Sequence, residues 1–386
     1  MKVLSLFDGM ACGMLAMQAA GIKVDRYVAY EINKYAVQTS SHNFPMIEHK
    51  GDVFHADFTE YSGFDFLVGG SPCTYWSIAQ KNNRETEASG MGWELFSQYV
   101  RALKEAQPMW FIYENNKSMS NAIRESITQA FGFEPVCINS ALVSAQNRQR
   151  LYWVGKRNPN GTYSRVRVDQ PEDKGILLRD VLDHAVALRE KANCLCGNRG
   201  GTSLAHDLEK AKHNYAAEPV CTLASGKSRC VTAGYANKGA KHILESYFSD
   251  NPSKQQWDSV AEPVPSFAIP CEWDESGRPT KAVSAVDGKT YTVYEVKNGQ
   301  ITIKHKQYPI KLADGIYIIR KLTVSECKRL QTVPEWYEFP VSDSQAFRQL
   351  GNGWTVLIIA HLINATQANG LAEEQLDFFK ITEQWG

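Results

Sequence analysis

Three apolar runs in the first 150 residues each end in a side chain able to take part in covalent or proton-transfer chemistry. "VGGSPCTYWS" (68 to 77) carries Cys73 directly after a proline, "YENN" (113 to 116) carries Glu114, and "QNRQR" (146 to 150) carries Arg148 and Arg150. An isolated buried cysteine is usually inert packing. Its company here changes that reading. A carboxylate left unpaired at the end of an apolar strand would cost several kcal/mol of desolvation, so Glu114 must have partners or a proton. A free thiol, with a pKa near 8.5, is only slightly ionised at neutral pH, and nearby arginine is a useful activator. A thiol nucleophile, a carboxylic acid and an arginine together suit attack on a ring that takes up a proton as it is attacked. One arginine can reach such a site while the other braces the loop.

These residues need a frame, and the chain up to Lys156 alternates strand-like and helix-like segments, the pattern of a doubly wound, mostly parallel sheet. Strands are expected over 2 to 7, 25 to 31, near 46 to 53, over 64 to 70 and over 109 to 114, with two more in "EPVCIN" and "RLYWVGK". Helices are expected over 14 to 20, 34 to 43 and 94 to 106. A further helix carries Ile123, Ile127 and Phe131 on one face and is capped by Gly132. After that the period breaks into a Pro/Gly/charge-rich stretch, and short β-like runs follow among loops. Helical pattern returns in "TVSECKRLQTV" and "GWTVLIIAHLINATQA". The organisation expected is a cofactor-binding and catalytic domain (1 to 157), a smaller irregular β-rich domain (158 to 320), and a C-terminal segment (321 to 386) that returns to the first.

The turn after the first strand, "FDGMACG" (7 to 13), has two glycines four apart where a ligand would meet a helix N-terminus. That departs from the G-x-G-x-x-G spacing that cradles a pyrophosphate, and it favours a nucleoside cofactor without phosphates over NAD or FAD. Glu31 closes the second strand, where a carboxylate can accept from ribose hydroxyls. Asp52 follows the third strand and is a candidate for an adenine amine.

Composition bounds the rest. The 386 residues hold 42 basic and 42 acidic side chains, distributed as 14 against 15 in 1–156, 24 against 19 in 157–321 and 4 against 8 in 322–386. The basic excess lies in the middle region, a modest footprint for a nucleic-acid surface. The nine cysteines are odd in number and scattered, which fits a reducing compartment better than a disulfide framework. Cys194 and Cys196 form C-x-C without a second pair at metal-ligand spacing, so no metal is expected. No apolar run approaches a membrane span of roughly 18 residues, and a soluble intracellular protein is expected. "GNRGGTS" (197 to 203), with Arg199, reads equally as a nucleic-acid-contacting loop and as a plain flexible one. Trp76 and Trp354 read as packing.

In order along the chain, "FDGMACG", "YEINKYA", "GD", "GGSPC", "ENN", "QNRQR", "RKLTVSECKRLQTVP" and "GNGWTV" resemble the successive motifs of the DNA (cytosine-5) methyltransferases. The first motif is similar to that of the branch containing the vertebrate de novo enzymes, while the long middle insert resembles the target-recognition region of bacterial and phage enzymes. The resemblance implies the class I methyltransferase fold, S-adenosylmethionine as cofactor, and methyl transfer to C5 of a cytosine flipped out of duplex DNA. It implies that Cys73 attacks C6, that Glu114 bonds N3 and the exocyclic amine, that Arg150 lies near O2, and that Arg148 is its partner. Cofactor contacts implied are Phe7, Asp8, Gly9, Glu31, Ile32, Asp52, Val53, Pro72, Leu95 and Asn352. The loop after Cys73 is the expected lid. Double-stranded DNA is the partner implied, with a cognate restriction endonuclease as a possible second. A monomer in a bacterial cytoplasm or phage-infected host is expected.

Thr74 and Asn116 depart from the family's usual residues. Other readings are an RNA (tRNA) cytosine-5 methyltransferase, a catalytically silent DNA-binding homologue, and a nicotinamide-dependent oxidoreductase.

Overall fold

The computed structural model describes residues 1–77, 84–183, 185–195, 203–210, 214–220 and 268–368. Among them the chain forms two compact units. One comprises 1–176, 194–195 and 327–368, and the other 177–193 and 203–326 as far as these are described.

The first unit is built on a twisted sheet. Its strands are β1 (Lys2–Leu6), β2 (Arg26–Tyr30), β3 (Glu48–His49), β4 (Phe66–Gly69), β5 (Trp110–Asn116), β6 (Val136–Asn139), β8 (Gln149–Arg157) and β9 (Tyr163–Arg165), and a short β7 (Gln146–Asn147) lies outside it. In space the order is β3-β2-β1-β4-β5-β8-β6, with β9 also on β8. β3 through β5 pair in parallel, and β8 runs antiparallel to β5, β6 and β9. Parallel strands covered on both faces must be apolar throughout, which is why "FLVG" and "WFIY" are uninterrupted. The unit continues past Lys156 because β9 pairs with the end of β8 and prolongs the sheet's edge.

Helices α1 (Cys12–Ala19), α2 (Lys34–Asn43), α3 (Gly90–Ala106) and α4 (Asn121–Phe131) alternate with these strands. α2 begins at Asn33, whose side chain accepts from the Tyr35 amide, and α4 ends at Gly132 with φ 82°, a left-handed cap that suits glycine. α3 and α4 bury Phe96, Tyr99, Leu103, Ile123, Ile127 and Phe131 against β4, β5 and β8 in one aromatic-rich core. Three further helices, Val324–Leu330, Asp343–Asn352 and Val356–Ala368, complete the C-terminal part, and the last packs on α1. The helix over Asp343–Asn352 is absent from the sequence reading, because its buried positions are Ala346, Gln349, Leu350 and Gly351, a weak apolar stripe.

The order of the sheet reverses between β1 and β4, which lead to neighbours on opposite sides. In open α/β sheets ligands bind outside the carboxyl ends of strands at such a point. Leu6 and Gly69 are paired residues there, so the turn "FDG" and the segment "GSPC" leave the sheet side by side.

The second unit has its own sheet. It is formed from β10 (Val186–Ala187), β12 (Tyr215–Pro219), β13 (Ile269–Trp273), β14 (Pro279–Val283), β15 (Thr290–Lys297), β16 (Gln300–Ile303), β17 (Lys306–Pro309) and β18 (Gly315–Lys321), with β11 (Ala192–Asn193) apart. All pairs within that sheet are antiparallel. The buried guanidinium of Arg320 is held between the carboxylates of Glu218 and Glu326, with Nη1 2.8 Å from Glu326 Oε2. A charge this deep is tolerated only when paired. Among the described residues no helix is long and apolar enough to cross a membrane.

Candidate active site

The turn after β1 is unusual backbone. Phe7, Gly9 and Ala11 have φ of 59°, 59° and 60°, the left-handed region. Phe7 and Asp8 donate their amides to Tyr30 O, and Gly9 donates to Glu31 Oε2 at 2.8 Å. Glu31 Oε1 accepts the Asn33 amide at 2.8 Å, so one carboxylate ties the first turn to the start of α2. Each of its oxygens keeps a further lone pair for a ligand hydroxyl. A Cβ at Gly9 would meet nothing within 4 Å, so space lies open above the turn. Beside it Ile32 is 76% exposed, an apolar face with no protein covering it.

Asp8 turns the other way. Its Oδ1 accepts from Ser5 Oγ at 2.6 Å and from Tyr27 at 2.7 Å, while Oδ2 is buried without a hydrogen-bond partner. Burial pushes this carboxyl up to about 6 despite those two bonds, and Glu31 adds to the rise. Asp52 caps a short 3-10 turn (Val53–His55) by accepting the Phe54 amide, and the Val53 side chain packs into the core. Pro72 follows β4 half-buried, Leu95 lies in the first turns of α3, and Asn352 is exposed at the end of its helix. The open turn, the apolar Ile32 and the carboxylate of Glu31 fit a nucleoside cofactor without phosphates.

β4 ends between β1 and β5 without room for side chains. A Cβ at Gly69 would lie 2.7 Å from Leu6 O, and one at Gly70 would lie 2.7 Å from Glu114 O. Ser71 Oγ meets Tyr113 Oη at 2.6 Å and Asn115 Nδ2 donates to Ser71 O at 3.1 Å, which locks the segment entering the Cys73–Tyr75 turn. Thr74 is exposed there. Asn116 is buried, its side chain held by Asn115 Oδ1 and Ser118 Oγ. Beyond the turn Trp76 is buried as expected, and its indole donates to Glu85, which also accepts the Gly92 amide at the start of α3. Residues 78–83 of the expected lid and 196–202, with Cys196 and Arg199, lie outside the described residues.

Glu114 is 9% exposed at the carboxyl end of β5. Its two oxygens have separate donors: Arg150 Nε is 3.0 Å from Oε1, and Trp354 Nε1 donates to Oε2 at 2.9 Å. Arg150 reaches it because Asn116 pairs with Arg150 and Glu114 with Tyr152, so Glu114, Tyr152 and Arg150 project from one face. Of the two arginines, Arg148 is the one that points elsewhere. Only 3% exposed, its guanidinium donates to Gly351 O (3.2 Å) and Gly353 O (2.8 Å), with Leu195 O at 3.4 Å. It braces the segment that carries Trp354 rather than facing Glu114. Trp354 therefore does more than pack. It was missed because its partner lies 240 residues away. Gln146 and Gln331 reinforce the same brace: Gln146 Nε2 donates to Leu330 O at 3.0 Å, and Gln331 Nε2 to Leu350 O at 2.5 Å.

A family model described as C-5 cytosine-specific DNA methylase matches residues 1–368. The chain belongs to the C-5 cytosine-specific DNA methylase family. It is a methyltransferase of that family. The orphan methyltransferase M.SPRI of Bacillus phage SPR is 25% identical, over 93% of this chain and 95% of its own length. The type II methyltransferase M.FnuDI of Fusobacterium nucleatum is 24% identical, over 95% of each. Among solved structures, the DNMT2 of Spodoptera frugiperda superposes with a TM-score of 0.50 at 15% identity, covering 94% of this chain and 98% of that one, a likeness of fold. Among the described residues no group of acidic, histidine or cysteine side chains is arranged to hold a metal ion.

Proposed function

We propose that this methylase transfers a methyl group from S-adenosylmethionine to C5 of a cytosine flipped out of duplex DNA, through a covalent bond between Cys73 and C6. The observation that carries the proposal is the Glu114–Arg150 pair at the end of β5, beside the glycine-tight segment that delivers Cys73. Phe7, Gly9, Glu31, Ile32 and Asp52 are the residues we assign to holding the cofactor, with Asp8, Val53, Pro72, Leu95 and Asn352 around them. The cofactor, when bound, supplies an electrophilic methyl carbon.

The chain's own residues do the rest. The Cys73 thiolate adds to C6, and electron density from the broken C5–C6 double bond moves toward N3, where a proton taken up from solvent and relayed by Glu114 neutralises it. C5 is then nucleophilic and takes the methyl group. A base next removes the C5 proton, the C5–C6 double bond re-forms, and the Cys73 sulfur leaves. Arg150, fixed by Glu114, is assigned to the O2 edge of the ring. Arg148 is assigned a positioning role, holding the 351–354 segment and thereby Trp354. The second unit, in the region with the basic excess, is assigned to target recognition on double-stranded DNA. We place the reaction in the cytoplasm of a bacterial or phage-infected cell, carried out by a monomer, alone or beside a restriction endonuclease.

The test is incorporation of tritiated methyl groups from S-adenosylmethionine into mixed-sequence duplex DNA and into tRNA, with wild type and Cys73→Ala. Transfer to DNA that vanishes in Cys73→Ala while cofactor binding survives is the expected result. Transfer to tRNA alone, or an active Cys73→Ala, would overturn it.

A further inference from the structure

Cys194 lies where two cations of this site converge. Its Sγ is 3.3 Å from Arg148 Nη1 and 3.6 Å from Arg150 Nη2. We propose that Cys194 works as a thiolate that positions Arg150 against Glu114, a second functional sulfur distinct from Cys73. The inference rests on the roles given to Glu114 and Arg150 above and adds a residue to that site.

The argument is one of charge and geometry. Two guanidinium groups, one buried and one partly buried, approach a single sulfur, and guanidinium has only donors to offer. A neutral thiol is a weak acceptor and offers little to two guanidinium groups that converge on it. An ionised sulfur accepts from both in charge-assisted bonds. Burial opposes ionisation of Cys194, but the charges of Arg148 and Arg150 and their hydrogen bonds outweigh it and draw the thiol below its ordinary range.

Cys12 is the contrast within the same unit. It is buried at the start of α1, where its sulfur lies 3.8 Å from Trp354 O, and burial pushes it up to about 12 even though the charge of Arg148 acts on it in the opposite sense. Burial prevails at Cys12, where Arg148 acts without a direct contact, whereas at Cys194 both guanidinium groups touch the sulfur and draw it the other way. Among the described residues, the charged groups that contact Cys194 are Arg148, between β7 and β8, and Arg150 on β8, with Glu114 behind Arg150 on β5.

The consequence is a three-point hold on Arg150. Nε contacts Glu114, Nη1 donates to Gln149 O at 2.9 Å, and Nη2 meets Cys194. The same sulfur takes an edge of Arg148, whose other bonds secure the Trp354 segment. Both donors to Glu114 are thus referred to one anion.

Two measurements on the full-length protein test this. The first is the rate of iodoacetamide labelling of the Cys194 peptide against pH, read by mass spectrometry. A midpoint below the ordinary cysteine value of about 8.5 is expected, and a midpoint at or above it overturns the inference. The second compares kcat for methyl transfer in Cys194→Ser and Cys194→Asp. Serine, near in size but neutral, is expected to lower kcat about tenfold, and aspartate, which keeps the charge, to stay within about threefold of wild type. Serine tolerated and aspartate inactive would mean a packing role and would overturn the positioning one. If wild type transferred no methyl to any DNA while Cys194 still labelled with a low midpoint, the assigned reaction would fall and the thiolate would stand.

Discussion

The indole of Trp354 donates to Oε2 of Glu114 at 2.9 Å while Arg150 holds Oε1 at 3.0 Å, so the carboxylate is clamped from both sides of the chain's long middle insertion. On the proposed mechanism Glu114 serves the N3 edge of the ring, a task for which it has to be held in one rotamer, and two directed donors accomplish that. Trp354→Phe keeps the ring's bulk and removes the donor. We expect kcat to fall about tenfold, with KM for DNA and the unfolding midpoint little changed. Single-turnover methylation at saturating DNA is the measurement. A variant as fast as wild type would show that Arg150 suffices.

The two arginines of "QNRQR" should separate by experiment. Arg148→Ala strips donors from Gly351 O and Gly353 O inside the protein and should destabilise the fold by about 3 kcal/mol in urea denaturation. Arg150→Ala faces the reacting ring on our reading. It should unfold within about 1 kcal/mol of wild type yet lose about a hundredfold or more in kcat. Equal stability losses in both variants would remove the distinction drawn between them.

Gly70 sets how closely β4 approaches Glu114. A methyl there would sit 2.7 Å from Glu114 O and 3.0 Å from Oε2, and neither the backbone oxygen nor the clamped carboxylate has room to give. Gly70→Ala should therefore cost about 1–3 kcal/mol of stability from overpacking. It should also reduce kcat about tenfold or more, because the strands would part where Cys73 and Glu114 are delivered. A fully active Gly70→Ala enzyme would mean that this approach has no bearing on the chemistry.

The sheet was legible because parallel strands buried on both faces must be apolar runs, and because their carboxyl ends are where polar residues interrupt them. α2 begins and ends where its pattern does, at Lys34 and Asn43. What escaped reading is what long-range pairing decides. The bonds from Trp354 to Glu114 and from Arg148 to Gly353 join residues 240 and 205 positions apart. Cys194, read only as half of a C-x-C pair, acquires its setting from Arg148 and Arg150, 46 and 44 positions before it. Local composition carries no trace of such partners.

Asp8 makes the pH dependence of folding specific. Burial raises its carboxyl to about 6, above the value of about 3.9 in an unfolded chain, so the folded state holds this proton more tightly. The stability it confers is complete below about pH 4, is lost as pH rises through about 6, and changes little above that. The span is on the order of 2 to 3 kcal/mol for the cofactor-free protein. Asp8→Asn keeps an oxygen for Ser5 and Tyr27 and removes the charge. Its melting temperature should exceed that of wild type at pH 8, and the advantage should vanish below about pH 4. Thermal denaturation of both proteins across that range is the check, and an advantage that instead grew toward acid would mean that Asp8 is ionised and stabilised in the fold.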